Sequence, residues 1–312
     1  MCGDSVGRGD VLFINRGGVP EAKSQRFINS LLWRLSLGTG LSILPSVRFK
    51  YYLQGVSVPR RKDLCFILFD SNAFSMDRGF LRHIRRQYGA RLILYIMNPA
   101  SSSSLDPRLC GDFYDLVYTV FSGDAERYGW IFCNHIYSTQ QFRGPAGFDS
   151  DVFFVGRAKN RLESILLVYE RLTGLGLRCE FHILDVDEGD MRYTDDIKYN
   201  TWMPYRETLR RMLRSRCLLE ILQAPGNGPT LRMVEAVVYN KKIITNDAAA
   251  PTNTYYDGRF MRVFSAPEEI DTGFIRDDIR PDYGYRGEYS ADLFLKRIQE
   301  DLEDRKARAG GV

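Results

Sequence analysis

The residues from Ser215 to Asp247 have the types and spacing that could do chemistry. An apolar run suited to a buried strand, residues 217–222, enters a Pro/Gly loop at residues 223–228. A helix is predicted over about 229–239 and a second strand over 242–245. This is a βαβ unit whose first loop brings bare backbone and a helix N-terminus to one place. Unpaired N–H groups at that helix start favour an anion, and glycine lets a phosphate approach closely. Glu235 follows Thr230 by five positions, near enough to the loop to meet a sugar hydroxyl. An anionic, sugar-bearing ligand such as a nucleotide diphosphate-sugar fits that pattern. A glycine-containing strand–loop–helix unit can also bind nothing. The loop has no Gly-Lys-Ser/Thr ending and no Gly-x-Gly-x-x-Gly spacing, which argues against a Walker A site and against a dinucleotide fold.

The elements that position this unit follow from length and composition. A chain of 312 residues with 44% hydrophobic and 26% charged residues suits two globular domains. No run of about eighteen apolar residues occurs, and residues 1–10 lack the apolar core of a secretory signal. Six cysteines are scattered without a Cys-x-x-Cys, and they read as reduced core residues of a cytoplasmic protein. Residues 1–150 carry 18 Lys/Arg against 12 Asp/Glu, and the remainder 25 against 27. The excess gathers at Arg48, Lys50 and Arg60–Lys62, and again at Arg78, Arg82, Arg85 and Arg86. The second group has helical spacing. It suits either a solvated helix face or a face that meets anionic lipid headgroups at the inner side of a membrane. No nucleic-acid recognition motif accompanies the charge.

Short apolar runs alternate with helical patterns along the whole chain. In the first half, strands are predicted at 11–15, 64–69, 91–97 and 116–121, with helices near 22–37 and 80–88. Asp124 is expected to cap a helix running through Tyr128. A Gly/Pro-rich linker at 140–150 precedes a restart: strands at 151–155 and 179–184, helices at 161–173 and 205–214, and an irregular polar stretch at 185–203. A short strand at 260–264 and a charged helix at 290–306 with a flexible tail end the chain. The expected domains are residues 1–145, 146–289, and a C-terminal helix and tail, 290–312. The expected fold class is α/β, with two doubly wound, Rossmann-like domains facing a cleft.

Several segments resemble a known family. Residues 151–161 (Asp-Val-Phe-Phe-Val-Gly-Arg-Ala-Lys-Asn-Arg), the stretch 205–247, and in the first half 115–130 and 136–138, are similar to small GT-B glycosyltransferases of bacterial surface-polysaccharide clusters. These segments cover about half the chain. The resemblance implies transfer of a sugar, of hexosyltransferase kind, from a nucleotide diphosphate-sugar to a glycan or lipid-linked acceptor. It implies no bound metal and no cofactor. It places the donor on Gly156, Arg157, Asn227, Gly228, Pro229, Thr230, Arg232 and Glu235, with Glu235 holding the ribose hydroxyls. Asp185-Val-Asp187 has the form of a metal-binding Asp-x-Asp and is kept as a rival.

The chain departs from the family's retaining pattern of two glutamates separated by seven residues. The position eight before Glu235 is Asn227. An inverting transfer needs a general base at a strand end of the first domain. Asp70 and Asp124 sit at such ends, although a turn and a helix cap explain them equally well. Arg16, Gly17 and Gly18 follow the first strand and are the acceptor-side candidates; a tight turn also explains the glycines. A non-catalytic nucleotide- or glycan-binding protein of the same fold is the alternative reading.

Overall fold

The structure is a computed structural model that describes residues 11–14, 65–70, 78–102, 106–140, 142, 147–223 and 230–310. Arg16, Gly17, Gly18, Asn227, Gly228, Pro229, the helix expected near 22–37 and the basic group at 48–62 lie outside the described residues. The chain forms two compact units. One comprises Met1–Ile136 with Ala291–Val312, the other Tyr137–Ser290. Each is a Rossmann-like α/β unit built on a parallel sheet.

The first sheet runs in the order β1 (Val11–Ile14), β2 (Cys65–Phe69), β3 (Arg91–Ile96), β4 (Leu116–Thr119), β5 (Ile131–Phe132), every pair parallel. Right-handed crossovers that always step the same way put their helices on one face. Accordingly α1 (Arg78–Tyr88) and α2 (Cys110–Phe113) share one core: Phe80, Leu81, Ile84 and Cys110 pack with Phe66, Leu68, Leu92, Leu94 and Ile96. A further short helix, α3 (Ser122–Tyr128), joins β4 to β5.

Strand alternation turns Cys65, Ile67, Ile93, Tyr95, Leu116 and Tyr118 to the other face. That face is covered from far along the sequence. The C-terminal helix Ala291–Gly310 inserts Phe294, Ile298 and Leu302 into it. The Phe294 ring meets Tyr95 and Tyr118 edge-on at 5.4 and 5.0 Å, and the Tyr118 hydroxyl donates to Asp301 at 2.5 Å. The helix runs through Gly310, where the sequence suggested a loose tail beyond Lys306.

The second sheet has the order β11-β10-β9-β6-β7-β8, again all parallel. Its elements are β6 (Ser150–Arg157), α4 (Leu162–Gly174), β7 (Cys179–Leu184), β8 (Lys198–Tyr199), α5 (Tyr205–Leu213), β9 (Ser215–Glu220), α6 (Leu231–Val238), β10 (Lys242–Thr245), β11 (Met261–Val263) and α7 (Thr272–Arg276). The C-terminal helix of the first unit is therefore α8.

Strand order climbs from β6 to β8, then returns to β9 on the far side of β6. The reversal sends α5 and α6 to the face opposite α4. Ile165, Val168 and Leu172 of α4 pack on Val152, Phe154 and Phe181, while Leu209, Met212, Met233 and Val237 pack on Phe153, Leu218 and Ile243. The stretch 185–203, expected to be irregular throughout, contributes the edge strand β8.

Candidate functional site

In an open parallel sheet, ligands bind outside the carboxyl ends of the strands where the order reverses. Here that point lies between β6 and β9. Gly156 and Arg157, expected in a loop, are the last two residues of β6. A Cβ on Gly156 would sit 3.2 Å from the Arg161 guanidinium and 3.4 Å from the Phe154 ring, so glycine is what admits Arg161 here. Arg161 bridges the two strands. Its Nε and Nη2 donate to the Arg157 carbonyl at 3.3 and 3.1 Å, and its Nη1 donates to the Ile221 carbonyl just past β9. Of the five N–H donors of a guanidinium, two are left without a partner among the described residues, in one plane. Burial lowers the Arg161 pKa, and the Glu220 carboxylate opposes that effect.

Glu220 is the last residue of β9 and is buried. It accepts from Thr230 Oγ1 and, at 2.6 Å, from Thr245 Oγ1. Burial raises its pKa in spite of those hydrogen bonds. Asn246 Oδ1 accepts from the Leu222 N–H at 2.6 Å and fixes the exit of β9. Thr230 is the N-cap of α6, one residue after the predicted helix start. Its Oγ1 accepts from the Arg232 and Met233 N–H groups while its hydroxyl hydrogen goes to Glu220. The Thr230 hydroxyl expected on a phosphate is therefore engaged inside the fold.

Arg232 and Glu235 also turn inward. Arg232 Nη1 pairs with Glu235 Oε2 at 2.6 Å, and its Nη2 reaches the Val155 carbonyl at 3.4 Å. Glu235 is 2% exposed, and its Oε1 accepts from the Tyr205 hydroxyl at 2.7 Å. The Tyr205 oxygen is 2.7 Å from that of Tyr137, which contacts Tyr239 at 3.4 Å. Both carboxylate oxygens that the sequence assigned to ribose already have protein partners.

Arg157 pairs with Asp185 at 2.6 Å across the ends of β6 and β7, on the exposed rim. The Asp185-Val-Asp187 motif thus begins in an ion pair. Among the described residues no group of three His, Cys, Asp or Glu is placed to hold a metal ion.

In the first unit, Asp70 follows β2 and is 6% exposed. Its Oδ2 accepts from the Asn98 N–H at 2.9 Å and from Asn98 Nδ2 at 3.2 Å, whereas its Oδ1 is buried with no hydrogen-bond partner among the described residues. Asp124 is not a helix cap. Phe121 holds the cap position of α3, and Asp124 Oδ2 accepts from the Ala100 N–H at 2.8 Å. On α1, Arg78 and Arg82 lie over the Phe113 ring and Arg85 is paired with Asp115. No helix among the described residues is long and apolar enough to cross a membrane.

Sequence reasoning missed Arg161 and Glu220. The signal for Glu220 was present, since an acid inside the run Leu-Leu-Glu-Ile-Leu needs a buried partner. Arg161 gave none, because its acceptor Ile221 is 60 residues away.

No protein-family model matches the chain, and no curated protein matches it. Among solved structures it is similar, at 12% identity over 86% of this chain and 79% of the other, to the catalytic domain of starch synthase IV from Arabidopsis thaliana bound to ADP and acarbose, with a TM-score of 0.46. It is likewise similar to the glycotransferase of kitacinnamycin (10% identity over 82% and 79%, TM-score 0.42) and to Phytolacca americana UGT2 complexed with UDP-2fluoro-glucose and pterostilbene (12% over 93% and 79%, TM-score 0.40).

Proposed function

We propose that this chain is a glycosyltransferase of GT-B type whose second unit binds a nucleotide diphosphate-sugar at the β6–β9 switch point. The observation behind the reading is the Arg161 guanidinium, seated over Gly156 between the two strand ends with two N–H groups unclaimed among the described residues. A planar cation held in that way suits a diphosphate better than a neutral ligand. The N-terminus of α6 adds its dipole on the same edge. Gly156 and Arg157 line the diphosphate, and Asn227, Gly228 and Pro229 remain donor-binding candidates on the family resemblance. Thr230, Arg232 and Glu235 shape the site from within.

In the reaction the bond between the sugar C1 and the phosphate oxygen breaks, and an acceptor hydroxyl oxygen bonds to C1. Arg161 stabilises the charge that gathers on the departing diphosphate. That role assigns the leaving-group charge to protein groups, with neither metal nor cofactor. Asp70, at the end of β2, is assigned the acceptor proton as general base. Asp124 holds the loop at Ala100 instead. Arg16, Gly17 and Gly18 serve the acceptor, a glycan or lipid-linked sugar of surface-polysaccharide synthesis. The exposed side of α1 gives a peripheral contact with anionic membrane in the cytoplasm.

The test is a thermal-shift screen with UDP, GDP, CDP and ADP and their sugars, with magnesium and with EDTA. A ligand that binds only the folded state raises Tm. One diphosphate is expected to stabilise the protein in both conditions, and Arg161→Ala to weaken it by about 100-fold, the worth of a charge-assisted contact near 3 kcal/mol. A shift that survives Arg161→Ala, or none at all, overturns the assignment. Binding without sugar transfer to any acceptor would favour the non-catalytic reading, and Asp70→Asn separates the two by removing turnover while keeping the shift.

A further inference from the structure

Beside the Arg161 seat, buried acids outnumber the cations set against them. Glu220, Glu235 and Asp247 are 4%, 2% and 3% exposed. The guanidiniums that face this group are Arg161 and Arg232. Arg232 pairs with Glu235 at 2.6 Å. Arg161 is held by the carbonyl of Ile221, the residue after Glu220, and the Glu220 carboxylate supports its charge against burial. Three carboxyls against two guanidiniums leave a charge of −1 when all are ionised. The pair on the rim, Arg157 with Asp185, adds no net charge.

A diphosphate brought to Arg161 therefore meets an uncompensated negative charge. Like charges in a buried site raise one another's proton affinity until one group takes up a proton. Glu220 is placed to be that group. Glu235 has Arg232 as its own countercharge, whereas the hydrogen-bond partners of Glu220 are the hydroxyls of Thr230 and Thr245. The charged groups facing Glu220 are Asp247 past β10, Arg232 on α6 and Arg161 before α4. Burial, with Asp247 beside it, raises the Glu220 pKa against the pull of the two hydroxyls and of Arg232. The extra hydrogen also has a place to go. Glu220 Oε2 is 2.6 Å from Thr245 Oγ1, its register partner on β10. That oxygen accepts from the Asp247 N–H at 3.0 Å and keeps a second lone pair unclaimed among the described residues. A neutral Glu220 donates to it, with the threonine hydrogen turned aside.

We infer, building on the donor reading above, that the diphosphate binds together with one proton. The Glu220 carboxylate takes that proton from solvent as the ligand docks on Arg161 and returns it when the ligand leaves. The site thus holds its anion more tightly as pH falls.

The experiment is calorimetric titration with UDP-, GDP-, CDP- and ADP-glucose, diphosphate diesters whose own charge stays constant across the range used. Runs at each pH in two buffers of different ionisation heat count the protons taken up per ligand. The wild type is expected to take up a proton where Glu220 is ionised in the free protein. Its affinity should fall as pH rises through that range, approaching about ten-fold per pH unit. Glu220→Gln should bind with no uptake and no pH dependence. Asp247→Asn should keep the uptake and move it to lower pH, because the neighbouring charge that raises the Glu220 pKa is gone. The wild-type proton count needs no variant to fold. Wild-type binding without uptake at any pH, uptake that survives in Glu220→Gln, or a window unmoved in Asp247→Asn overturns the proton link and leaves the diphosphate site standing. No binding by the wild type, or binding unchanged in Arg161→Ala, overturns both.

Discussion

The two sheets solve the same packing problem with different materials. Among the described residues of the first unit, the buried polar side chains are Asp70 and Thr119. The second unit buries Glu220, Glu235, Lys241, Lys242, Asp247 and His182 in a sheet of similar size. Burying a charge costs stability unless partners compensate it. The second unit accepts that cost around a reversal of strand order, where the first sheet has a monotonic order and apolar cores on both faces. The first is organised for packing, and the second holds charge in fixed places beside a ligand edge.

The largest effect that would break this comparison is removal of α8. Truncation before Ala291 uncovers Ile67, Ile93, Tyr95 and Tyr118, and the first unit should lose its cooperative fold while the second keeps its own. Hydrogen exchange would show protection lost in β2–β4 and kept in β6–β10; equal loss in both would mean the units are not separately stable. Next comes Lys242→Met. Lys242 Nζ donates to the Phe274 and Asp277 carbonyls at 2.8 and 2.6 Å and to the Asp277 carboxylate. Losing it removes these buried hydrogen bonds and the ion pair and should cost about 3 kcal/mol by denaturant unfolding. Tyr205→Phe leaves Glu235 Oε1 without its donor, and a loss of about 2 kcal/mol is expected. A neutral result would show that water replaces the hydroxyl.

The smallest effects lie in pH dependence. Burial pushes the Lys241 pKa down to about 8 from 10.5. Between those values the unfolded chain binds more protons, so this group makes stability rise with pH from about 8 to 10.5. Glu220 is shifted upward by burial, so the folded state binds its proton more readily. Its contribution is full below the unfolded value near 4.5 and is lost as pH rises through the folded pKa. Wild-type stability compared with Lys241→Met and with Glu220→Gln should lose each slope in its own window. An unchanged slope in either variant would mean that the charge is solvated.

Much of the second sheet was legible. The segments Cys179–Leu184 and Lys242–Thr245, read as strands, are strands with those bounds. Strands buried on both faces advertise themselves as continuous apolar runs. Ends were harder: Gly156 and Arg157 looked like a loop because glycine and arginine break such a run, yet both pair with β7. Partners distant in sequence were not legible at all. The pattern of α8 gave its helix but not the sheet it covers. The acidic Glu235 looked available because nothing near it in sequence points to Tyr205 on another helix.

The return of α8 to the first sheet also sets an order of assembly. Domains generally fold as they leave the ribosome, N-terminal first. Here the second unit is complete in sequence at Ser290, while the first still lacks Phe294, Ile298 and Leu302. The part translated first is thus the part finished last. Until those residues emerge, one face of its sheet stays open to chaperones, to proteases and to other nascent chains.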